Sequence, residues 1–565
     1  MTRKKNNKKR KLFFSVLLIF LAVGLFYFVF NFIDLNNKIF EQKTMYLAAS
    51  NLSVSLYDEN LIEIKSSVRG TEVILTNTTL KKEENKYVMV KINDADLFVL
   101  EDNLVDKITD VVKEEKVYVR TPTTLYLNID SGYIDGLLEK GSELLVVGYD
   151  ELLENGHVNA YKVKLEGDKE GYVYQKYVVF DLDEALYNYE PEKYYNIHNS
   201  RSDIHSGVGG TGGGLDYFPS EKPNFENNVM PEKVYSLYLN SSRNIINNID
   251  KYIEFAKETK INAFVVDIKD NESPAYKSKV YEKYSKTNQR YANNSFEDYK
   301  KAIDKLKSAG FYLIGRITVF KDKYFVQDNP DIAIMDKRTN KPFDNGTYWP
   351  SAFQRKVWQF NVELAKEAVQ EFGFNEIQFD YVRFPDRIVS LDRAGHLDFR
   401  NEYEEEKVQA IQRFLMYARD ELHKMETYIS VDVFGESVNT YVTAYGQYWP
   451  AISNVVDVIS GMPYPDHFAP YSYGIPKPWE EPYKVLYNWG KAAVRRQEEI
   501  PTPAIVRTWI LAQNTMQGFR YDPKHIEAQI EGLVDAGLTG GYMTWASRAS
   551  LDGYKLRKEA YSREY

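Results

Sequence analysis

The stretch Glu376-Ile-Gln-Phe-Asp-Tyr-Val-Arg-Phe-Pro385 is the most informative part of this sequence. Ile377 and Phe379 belong to a short apolar run of the kind that forms a buried parallel strand. Asp380 interrupts this run near its C-terminal end, where burying a carboxylate is costly unless the group is paired or functional. Active-site residues of β/α barrels lie at this end of the strands, so Asp380 is a candidate catalytic residue. The alternative is an ion pair between Asp380 and Arg383 that only shapes a turn.

This run is one of eight strand-like runs that follow one another along the C-terminal part of the chain. Most of the intervals show helical periodicity, for example residues 296–306 with Gly310 as the stop. Strands that alternate with helices pair in parallel through right-handed crossovers. The predicted fold is therefore α/β, with a (β/α)8 TIM barrel over residues 233–565. The other seven runs are residues 234–239, 263–268, 312–317, 428–434, 455–460, 504–510 and 541–545.

Polar or aromatic residues occupy the same end of seven of these strands, which defines a ligand-binding face. They are Asp267, Lys269 and Asp270 on the second strand, Arg316 on the third, Asp380 and Arg383 on the fourth, Asp432 and Glu436 on the fifth, Tyr464, Asp466 and His467 after the sixth, Arg507, Trp509 and Gln513 on the seventh, and Trp545 on the eighth.

Several of these segments resemble a bacterial family described as a putative glycosyl hydrolase domain, within the glycosidase TIM-barrel superfamily. The string Phe379-Asp-Tyr-Val-Arg-Phe-Pro385 is the most specific, and the resemblance spans the whole predicted barrel. The chain departs from the family at Asp466, where Ser is usual, and at Trp509-Ile-Leu-Ala-Gln513, where Trp-Leu-Gln-Asp is usual. The resemblance implies a TIM barrel with glycosidase activity. The other matching segments are residues 262–270, 317–322, 430–435, 446–447 and 462–467.

Glycoside hydrolysis requires two carboxyl groups that flank the scissile bond, about 5 Å apart for retention and further apart for inversion. Adjacent barrel strands place their ends within that range, so Asp380 faces Asp432 or Glu436. Asp380 is the predicted nucleophile or base, and Arg383 and Gln378 could orient it and keep it ionised. The acid is either Asp432, whose burial would raise its pKa, or Glu436, which reaches further from a loop. The alternatives are structural roles: Asp432 would be a core residue bonded to the backbone, and Glu436 a solvated residue of the loop.

Further residues on the same face are predicted to contact the substrate. Asp267 and Lys269 either bind sugar hydroxyls or belong to an ion-pair network, and the tryptophans could stack on sugar rings. A lone His467 without a partner at ligand spacing does not indicate a metal, and we expect no metal and no cofactor. The predicted substrate-binding residues are Asp267, Lys269, Arg316, Gln378, Tyr381, Arg383, Tyr464, His467, Trp509, Gln513 and Trp545.

The N-terminus predicts a membrane location. A basic tail over residues 1–11 precedes an uncharged apolar run over residues 12–33, which is long enough to span a bilayer. Basic residues remain on the cytoplasmic side, so we expect a single-pass anchor in the cell membrane with an extracellular catalytic domain. A cleaved signal peptide, the alternative, usually has a shorter apolar core. The net charge of −9 argues against a nucleic-acid partner.

Two small all-β modules are predicted between the anchor and the barrel. The second module, residues 113–182, resembles a bacterial SH3-like domain, because Gly171-Tyr-Val173 matches the common Gly-Trp-Val ending. The first, residues 50–112, is a more divergent copy. Such domains often bind cell-wall peptide or glycan, and many are spacers. Residues 183–232, which include the Gly-rich segment 207–214, are predicted to form a flexible linker.

Together these features predict a membrane-anchored extracellular glycoside hydrolase that acts on a cell-wall or extracellular polysaccharide, such as the glycan of peptidoglycan. The alternative from another class is a non-catalytic glycan-binding barrel of the cell envelope. The geometry discriminates between them, since carboxyl groups more than about 10 Å apart without a shared cleft would favour binding alone. A metal-dependent polysaccharide deacetylase would need clustered His and Asp ligands, which the sequence does not offer.

Overall fold

A computed structural model of the chain describes residues 22–27, 43–93, 95–189 and 208–565. These residues divide into two compact units: the described part of Met1–Val117 with Leu144–Lys169, and Tyr118–Glu143 with Glu170–Tyr565. The predicted basic tail, most of the predicted anchor and residues 190–207 of the predicted linker lie outside the described residues. Within the described ranges, no helix has the length and apolar character needed to cross a membrane.

The first unit contains an antiparallel sheet of seven strands. In the strand Asn85–Ile92, the alternate residues Val88, Val90 and Ile92 are buried, so one face of the sheet packs inward. The predicted all-β character of this region is confirmed, and its relation to SH3-like domains stays a prediction. In spatial order the strands are Glu63–Val68, Ser53–Tyr57, Ala95–Leu100, Asn85–Ile92, Glu72–Lys82, Thr44–Leu47 and Leu104–Val105.

Short strands also cover the second predicted module. Thr123–Asn128 pairs antiparallel with Tyr133–Leu138, and Glu143–Tyr149 pairs antiparallel with Ala160–Lys164. This module is therefore all-β as well, and its SH3-like identity likewise stays a prediction. Its other strands are Lys116–Val119, Glu170–Tyr174 and Val178–Val179, and the helix Leu182–Leu186 follows them.

The second unit contains a nearly closed barrel of nine parallel strands. All eight predicted runs belong to it, but the seventh is divided into Ile505–Val506 and Thr508–Leu511. Arg507, at the division, donates its backbone N–H to Ile459 O (3.1 Å), and from Thr508 onward the chain pairs with the eighth strand instead. The other barrel strands are Val234–Leu239, Ala263–Asp270, Tyr312–Thr318, Glu376–Asp380, Tyr428–Phe434, Val458–Met462 and Gly541–Trp545. Shorter strands in the loops are Ser273–Pro274, Met335–Asp336, Lys341–Pro342 and Leu397–Asp398.

Helices fill most intervals between the barrel strands, as predicted. The helix expected at residues 296–306 is Phe296–Ser308, and Gly310 follows it with a φ of 86°. Ser295 caps its first turn by accepting the N–H of Asp298 (3.1 Å). The other helices of this unit's barrel are Arg243–Asn247, Ile249–Lys257, Lys279–Tyr284, Lys286–Tyr291, Lys323–Asp328, Arg355–Phe372, Val389–Arg393, Lys407–His423, Trp449–Ser453, Pro482–Gln497, Pro523–Ala536, Leu551–Lys555 and Lys558–Tyr561.

The fourth strand places three polar side chains in successive layers inside the barrel. Glu376, Gln378 and Asp380 share one side of the strand because alternate residues point the same way. Glu376 accepts two bonds from Arg507 Nη1 (2.8 Å each) at the N-terminal end, and Gln378 Nε2 lies 3.4 Å from Ser460 Oγ in the next layer. Asp380 ends the strand, so its layer is the one at the C-terminal mouth of the barrel.

Described residues of the predicted linker pack against the barrel. Thr211 donates its N–H and its hydroxyl to the two carboxylate oxygens of Glu406 (2.8 Å each), just before the helix Lys407–His423 begins. Lys222 Nζ donates to the backbone carbonyls of residues 453, 454 and 456 (3.1, 3.0 and 2.7 Å), and burial lowers its pKa to about 7. The composition of this segment is that of a linker, yet its described part forms specific hydrogen bonds.

Candidate active site

Arg316, on the third barrel strand, lies at the centre of the C-terminal mouth. Its guanidinium donates from Nη1 to Asp267 Oδ1 (2.7 Å), and from Nε and Nη2 to Asp380 Oδ2 (3.1 and 2.5 Å). Asp270 Oδ1 and Asp432 Oδ2 lie slightly further away, at 3.6 and 3.9 Å. Although burial opposes its charge, the carboxylates of Asp380 and Asp267 raise the pKa of Arg316 well above its usual value. One permanent cation therefore faces four aspartates.

Asp380 accepts hydrogen bonds on both carboxylate oxygens. Besides the two bonds from Arg316, its Oδ1 accepts the backbone N–H of Tyr381 (2.6 Å). Every one of these partners is a donor, which suits an ionised carboxylate. Tyr381 holds a left-handed φ of 52°, a conformation that non-glycine residues adopt at a cost of about 1–3 kcal/mol and that clusters at functional sites. The end of the fourth strand is therefore built to present an anionic carboxylate.

Asp432, on the fifth strand, has a different environment. The side chain is almost completely buried, its Oδ1 accepts the indole N–H of Trp509 (2.7 Å), and its Oδ2 has no hydrogen-bond partner among the described residues. Burial and the nearby charge of Asp380 raise the pKa of Asp432 well above its usual value. The protonated form of Asp432 is therefore favoured, which makes it a potential proton donor.

The carboxylates of Asp380 and Asp432 share one cleft. Their Oδ2 atoms lie 3.1 and 3.9 Å from the same atom, Arg316 Nε. The two oxygens can therefore be no more than about 7 Å apart, well within the separation that glycoside hydrolysis uses.

Glu436, the other predicted acid, lies in the loop after the fifth strand. Its carboxylate accepts the hydroxyl of Tyr441 on Oε1 (3.1 Å) and that of Tyr445 on Oε2 (2.8 Å). These two bonds hold the Glu436 carboxylate in its loop. Of the two candidates, Asp432 has the raised pKa that a proton donor needs.

Asp267 completes the set of carboxylates around Arg316. Tyr238 donates its hydroxyl to Asp267 Oδ2 (2.6 Å). Burial raises the pKa of Asp267 to about 6, against the opposing effect of Arg316. Tyr238 was not among the predicted site residues, because the first strand ends in an apolar run that carries no charged residue. An aromatic residue one position from the end of that strand is the signal that could have identified it.

Aromatic rings form one wall of the mouth. Trp545 is partly exposed, its ring centroid lies 4.9 Å from that of Tyr238 and 6.5 Å from that of Tyr464, and the Arg316 guanidinium lies 5.8 Å from it. Trp545 is therefore placed to stack on a ligand. Trp509, predicted to do the same, is 1 % exposed and serves instead as the hydrogen-bond donor to Asp432.

Three predicted residues have other contacts than expected. Lys269 Nζ pairs with Asp322 Oδ2 (2.7 Å) in full burial, because a register shift after Asp267 changes the direction of the strand's later side chains. This favours the ion-pair alternative for Lys269. Arg383 bonds to Phe384 O and packs on aromatic rings, and Gln378 lies one layer below the mouth. The partner that orients the carboxylate of the fourth strand is therefore Arg316 and not Arg383 or Gln378.

The remaining predicted residues lie on loops around the mouth. Gln513 Oε1 accepts the N–H and hydroxyl of Ser547 (2.8 and 2.9 Å), which links the loops after the seventh and eighth strands. His467 is exposed, with its ring 5.3 Å from that of Tyr464. Asp466, the departure from the family pattern, accepts the backbone N–H of Met516 (3.0 Å) and so supports a loop. Among the described residues, no group of three or more His, Cys, Asp or Glu side chains could hold a metal ion.

Residues 236–550 match the model of a family described as "Putative glycosyl hydrolase domain", and this match covers more than half of the chain. The chain belongs to this family. No curated protein matches the sequence.

Solved structures similar to the chain include three bacterial proteins. A hypothetical protein from Ruminiclostridium thermocellum ATCC 27405 is 29% identical over 35% of this chain and 97% of its own, with a TM-score of 0.30. The PgaB (BpsB) glycoside hydrolase domain from Bordetella bronchiseptica is 14% identical over 60% of this chain and 100% of its own, with a TM-score of 0.42. The spore cortex-lytic enzyme SleL from Bacillus megaterium QM B1551 is 12% identical over 59% of this chain and 76% of its own, with a TM-score of 0.35. The family assignment rests on the family model and not on these neighbours.

Proposed function

We propose that the protein is a glycoside hydrolase in which Asp380 is the nucleophile or base and Asp432 is the acid. One observation carries the proposal: two carboxyl groups in opposite protonation environments share Arg316 at the mouth of the barrel. Pairs of acids whose surroundings separate their pKa values are the arrangement that acid–base catalysis needs at neutral pH.

The proposed reaction follows from these two environments. Asp432 transfers its proton to the glycosidic oxygen as the bond from that oxygen to the anomeric carbon breaks. Asp380 stabilises the oxocarbenium-like centre and either attacks it or removes a proton from the attacking water. Asp432 becomes an anion in this step, and Arg316 Nε at 3.9 Å and the indole N–H of Trp509 at 2.7 Å are in place to stabilise the new charge.

The substrate and location are proposed from the sequence together with the mouth of the barrel. The apolar run at residues 12–33 supports a membrane anchor with the barrel outside the cell, where wall and extracellular polysaccharides are found. The partly exposed ring of Trp545, next to the carboxylates, supports a pyranose ring as the bound group. No nucleic acid, metal or organic cofactor is part of the proposal.

A non-catalytic glycan-binding barrel is the second candidate. The observation in its favour is that Asp432 is 1 % exposed and Asp380 only 6 % exposed, and that Asp380 is already bonded to Arg316 and to the backbone N–H of Tyr381. In that case the carboxylates would bind sugar hydroxyls without reacting.

Incubation of the purified full chain with wall glycan and a panel of extracellular polysaccharides tests the proposal. New reducing ends are expected from at least one glycan, and they should be absent with the Asp380→Asn variant. A variant with the same loss of charge at an exposed site, Glu258→Gln, should behave like the unmodified chain. Binding to a glycan without release of reducing ends would reject hydrolysis and favour the second candidate.

A further inference from the structure

Large apolar side chains are open to solvent on the loops that follow the sixth and seventh barrel strands. Tyr471 and Tyr473 are 72 % and 44 % exposed on the first of these loops, and Met516 is 67 % exposed on the second. The ring of Phe468 lies 5.6 Å from that of Tyr473. These four residues are called the outer surface below. Exposed apolar surface with polar surroundings marks a site of interaction.

Asp466 joins the two loops that carry the outer surface. Its Oδ2 accepts the backbone N–H of Met516, and its backbone carbonyl accepts the side-chain amide of Gln517 (3.0 Å each). Asp466 stands where the family pattern usually has Ser. The two loops are therefore held together by a residue that the family pattern does not have.

The turn that carries the two tyrosines has a fixed and strained backbone. Tyr471 and Tyr473 hold left-handed φ angles of 68° and 52°, and strain of this kind clusters at ligand-binding sites. Tyr471 donates its backbone N–H to Ile475 O (2.8 Å), and Ser472 donates its own to Ala469 O (3.0 Å). A ligand that stacks on these rings would therefore order little of the backbone, which favours binding.

The outer surface continues the aromatic wall of the mouth. The ring of Tyr464 lies 6.5 Å from that of Trp545, at an angle of 26°, and 5.3 Å from that of His467. Phe468 of the outer surface is the next residue along the chain. A ligand bound at Trp545, beside Arg316, could therefore extend past His467 onto the outer surface.

We propose that the outer surface binds further sugar units of a polysaccharide chain whose reacting unit lies at the carboxylates of the mouth. Tyrosine suits such a chain, because its ring packs on the apolar face of a pyranose and its hydroxyl can bond to the sugar hydroxyls. The protein would then prefer chains of several sugars to short oligosaccharides. The inference rests on the proposed function for the position of the reacting unit, but its experiment measures binding alone.

Calorimetric binding of linear oligosaccharides of two lengths tests the proposal. The probes are the trimer and the hexamer of β-1,4-linked N-acetylglucosamine, of β-1,4-linked glucose and of β-1,3-linked glucose. The full chain carries Asp380→Asn to prevent turnover. For at least one of these sugars, the hexamer should bind at least about tenfold more tightly than the trimer, because only the hexamer extends from the mouth onto the outer surface.

Variants locate the gain in affinity with length. Tyr471→Ala combined with Tyr473→Ala should weaken hexamer binding by about tenfold and leave trimer binding within about twofold. Changing the same two residues to Phe keeps the rings and should retain most of the gain. Trp545→Ala, at the mouth, should weaken trimer and hexamer alike. Tyr483→Ala is the matched control and should change neither, since this partly exposed residue bonds instead to Asp535 (2.8 Å) on another helix.

Three results would overturn the proposal: equal binding of trimer and hexamer, no measurable binding of any oligomer, or a gain with length that the double Ala variant leaves unchanged. Sedimentation that shows association of two copies, lost in the double Ala variant, would assign the outer surface to a second copy and overturn it as well. If hexamers bind more tightly than trimers but the chain without Asp380→Asn hydrolyses none of the panel, the proposed hydrolase is rejected and the outer surface remains a glycan-binding element.

Discussion

Two carboxylate–arginine pairs lie on the same side of the fourth barrel strand, one at each end. At the N-terminal end, Glu376 accepts two bonds from Arg507 (2.8 Å each) and one from the hydroxyl of Tyr312 (3.0 Å). One anion meets one cation, and both are almost completely buried.

At the C-terminal end, a single guanidinium faces more carboxylates than it can neutralise. Arg316 bonds to Asp380 and Asp267 and also lies within 4 Å of Asp270 and Asp432. Burial, together with the neighbouring negative charge, raises the pKa values of Asp432 and Asp267 above their usual range. We therefore expect the balanced pair to have a structural role and the unbalanced cluster to be the place where protons are exchanged.

The largest difference between the two ends should be in the effect on turnover. Asp380→Asn removes the anion opposite the anomeric carbon, so hydrolysis of a verified glycan should fall on the order of a thousandfold or more. The free energy of unfolding should stay the same or rise, because the variant relieves the excess of carboxylates around Arg316. Initial rates of reducing-end release and urea denaturation measure the two effects. Near-normal turnover would make Asp380 a structural residue.

The balanced pair should show the reverse behaviour. Glu376→Gln leaves the Arg507 guanidinium buried without its anion, which should lower the free energy of unfolding by about 3–5 kcal/mol. The turnover of the folded fraction should change far less than in Asp380→Asn, since Glu376 lies two layers below the mouth. Urea denaturation and activity per folded molecule check this. A stability loss below about 1 kcal/mol would contradict the structural role.

The unbalanced cluster should make stability depend on pH through Asp267. Its pKa in the folded chain is about 6, above the ordinary value of 3.8. The stabilisation by the protonated form is therefore complete below that ordinary value and is lost as the pH rises through about 6, a change of about 3 kcal/mol.

Asp267→Asn should remove this part of the pH dependence, as followed by urea denaturation between pH 4 and about 7. Asp420 is a control whose effect on stability changes with pH in the opposite direction. Lys176 and Arg419 outweigh its burial and lower its pKa. The stability that Asp420 contributes is present at higher pH and is lost as the pH falls through its lowered pKa. If the free energy of unfolding of the wild type does not fall between pH 4 and about 6, relative to that of Asp267→Asn, the raised pKa of Asp267 is contradicted.

The smallest expected effect concerns the donor to Asp432. The indole N–H of Trp509 lowers the pKa of Asp432, against the larger effects of burial and Asp380 that raise it. Trp509→Phe should raise that pKa further and move the basic limb of the pH–rate profile to higher pH. Trp449→Phe, which removes an indole bond to Gln497 instead (2.9 Å), should leave the limb in place. If the basic limb of the pH–rate profile does not move in Trp509→Phe, Asp432 is not the group whose titration produces that limb.

The barrel itself could be predicted from the sequence, because apolar runs and helical periodicity report burial along the chain. The division of the seventh strand could not, because it depends on where Arg507 changes its hydrogen-bonding partner from one neighbouring strand to the other. The contacts of residues 208–232 were missed for a similar reason: a Gly-rich composition permits flexibility, but Glu406 is distant in sequence and supplies the acceptor that fixes the segment.

The candidate site could be predicted as a set of residues but not as a set of partners. Arg316 and Asp380 were both identified by their positions near strand ends. Their pairing depends on the stagger between the strands, because Arg316 stands opposite Gln378 in the register and reaches diagonally to Asp380. The register shift after Asp267, which separates Lys269 from the mouth, likewise leaves no local pattern in the sequence.

The most direct test of the central claim is a comparison of two substrates with Asp432→Asn. A glycan with a sugar leaving group needs a proton at the glycosidic oxygen, whereas an aryl glycoside with a good leaving group does not. Asp432→Asn should therefore lose at least about a thousandfold in kcat on the glycan and no more than about tenfold on the aryl glycoside, while Asp380→Asn loses activity on both. Equal losses of kcat on the two substrates in Asp432→Asn would contradict the assignment of Asp432 as the acid. A large loss on the glycan with a small loss on the aryl glycoside in Glu436→Gln would contradict it as well.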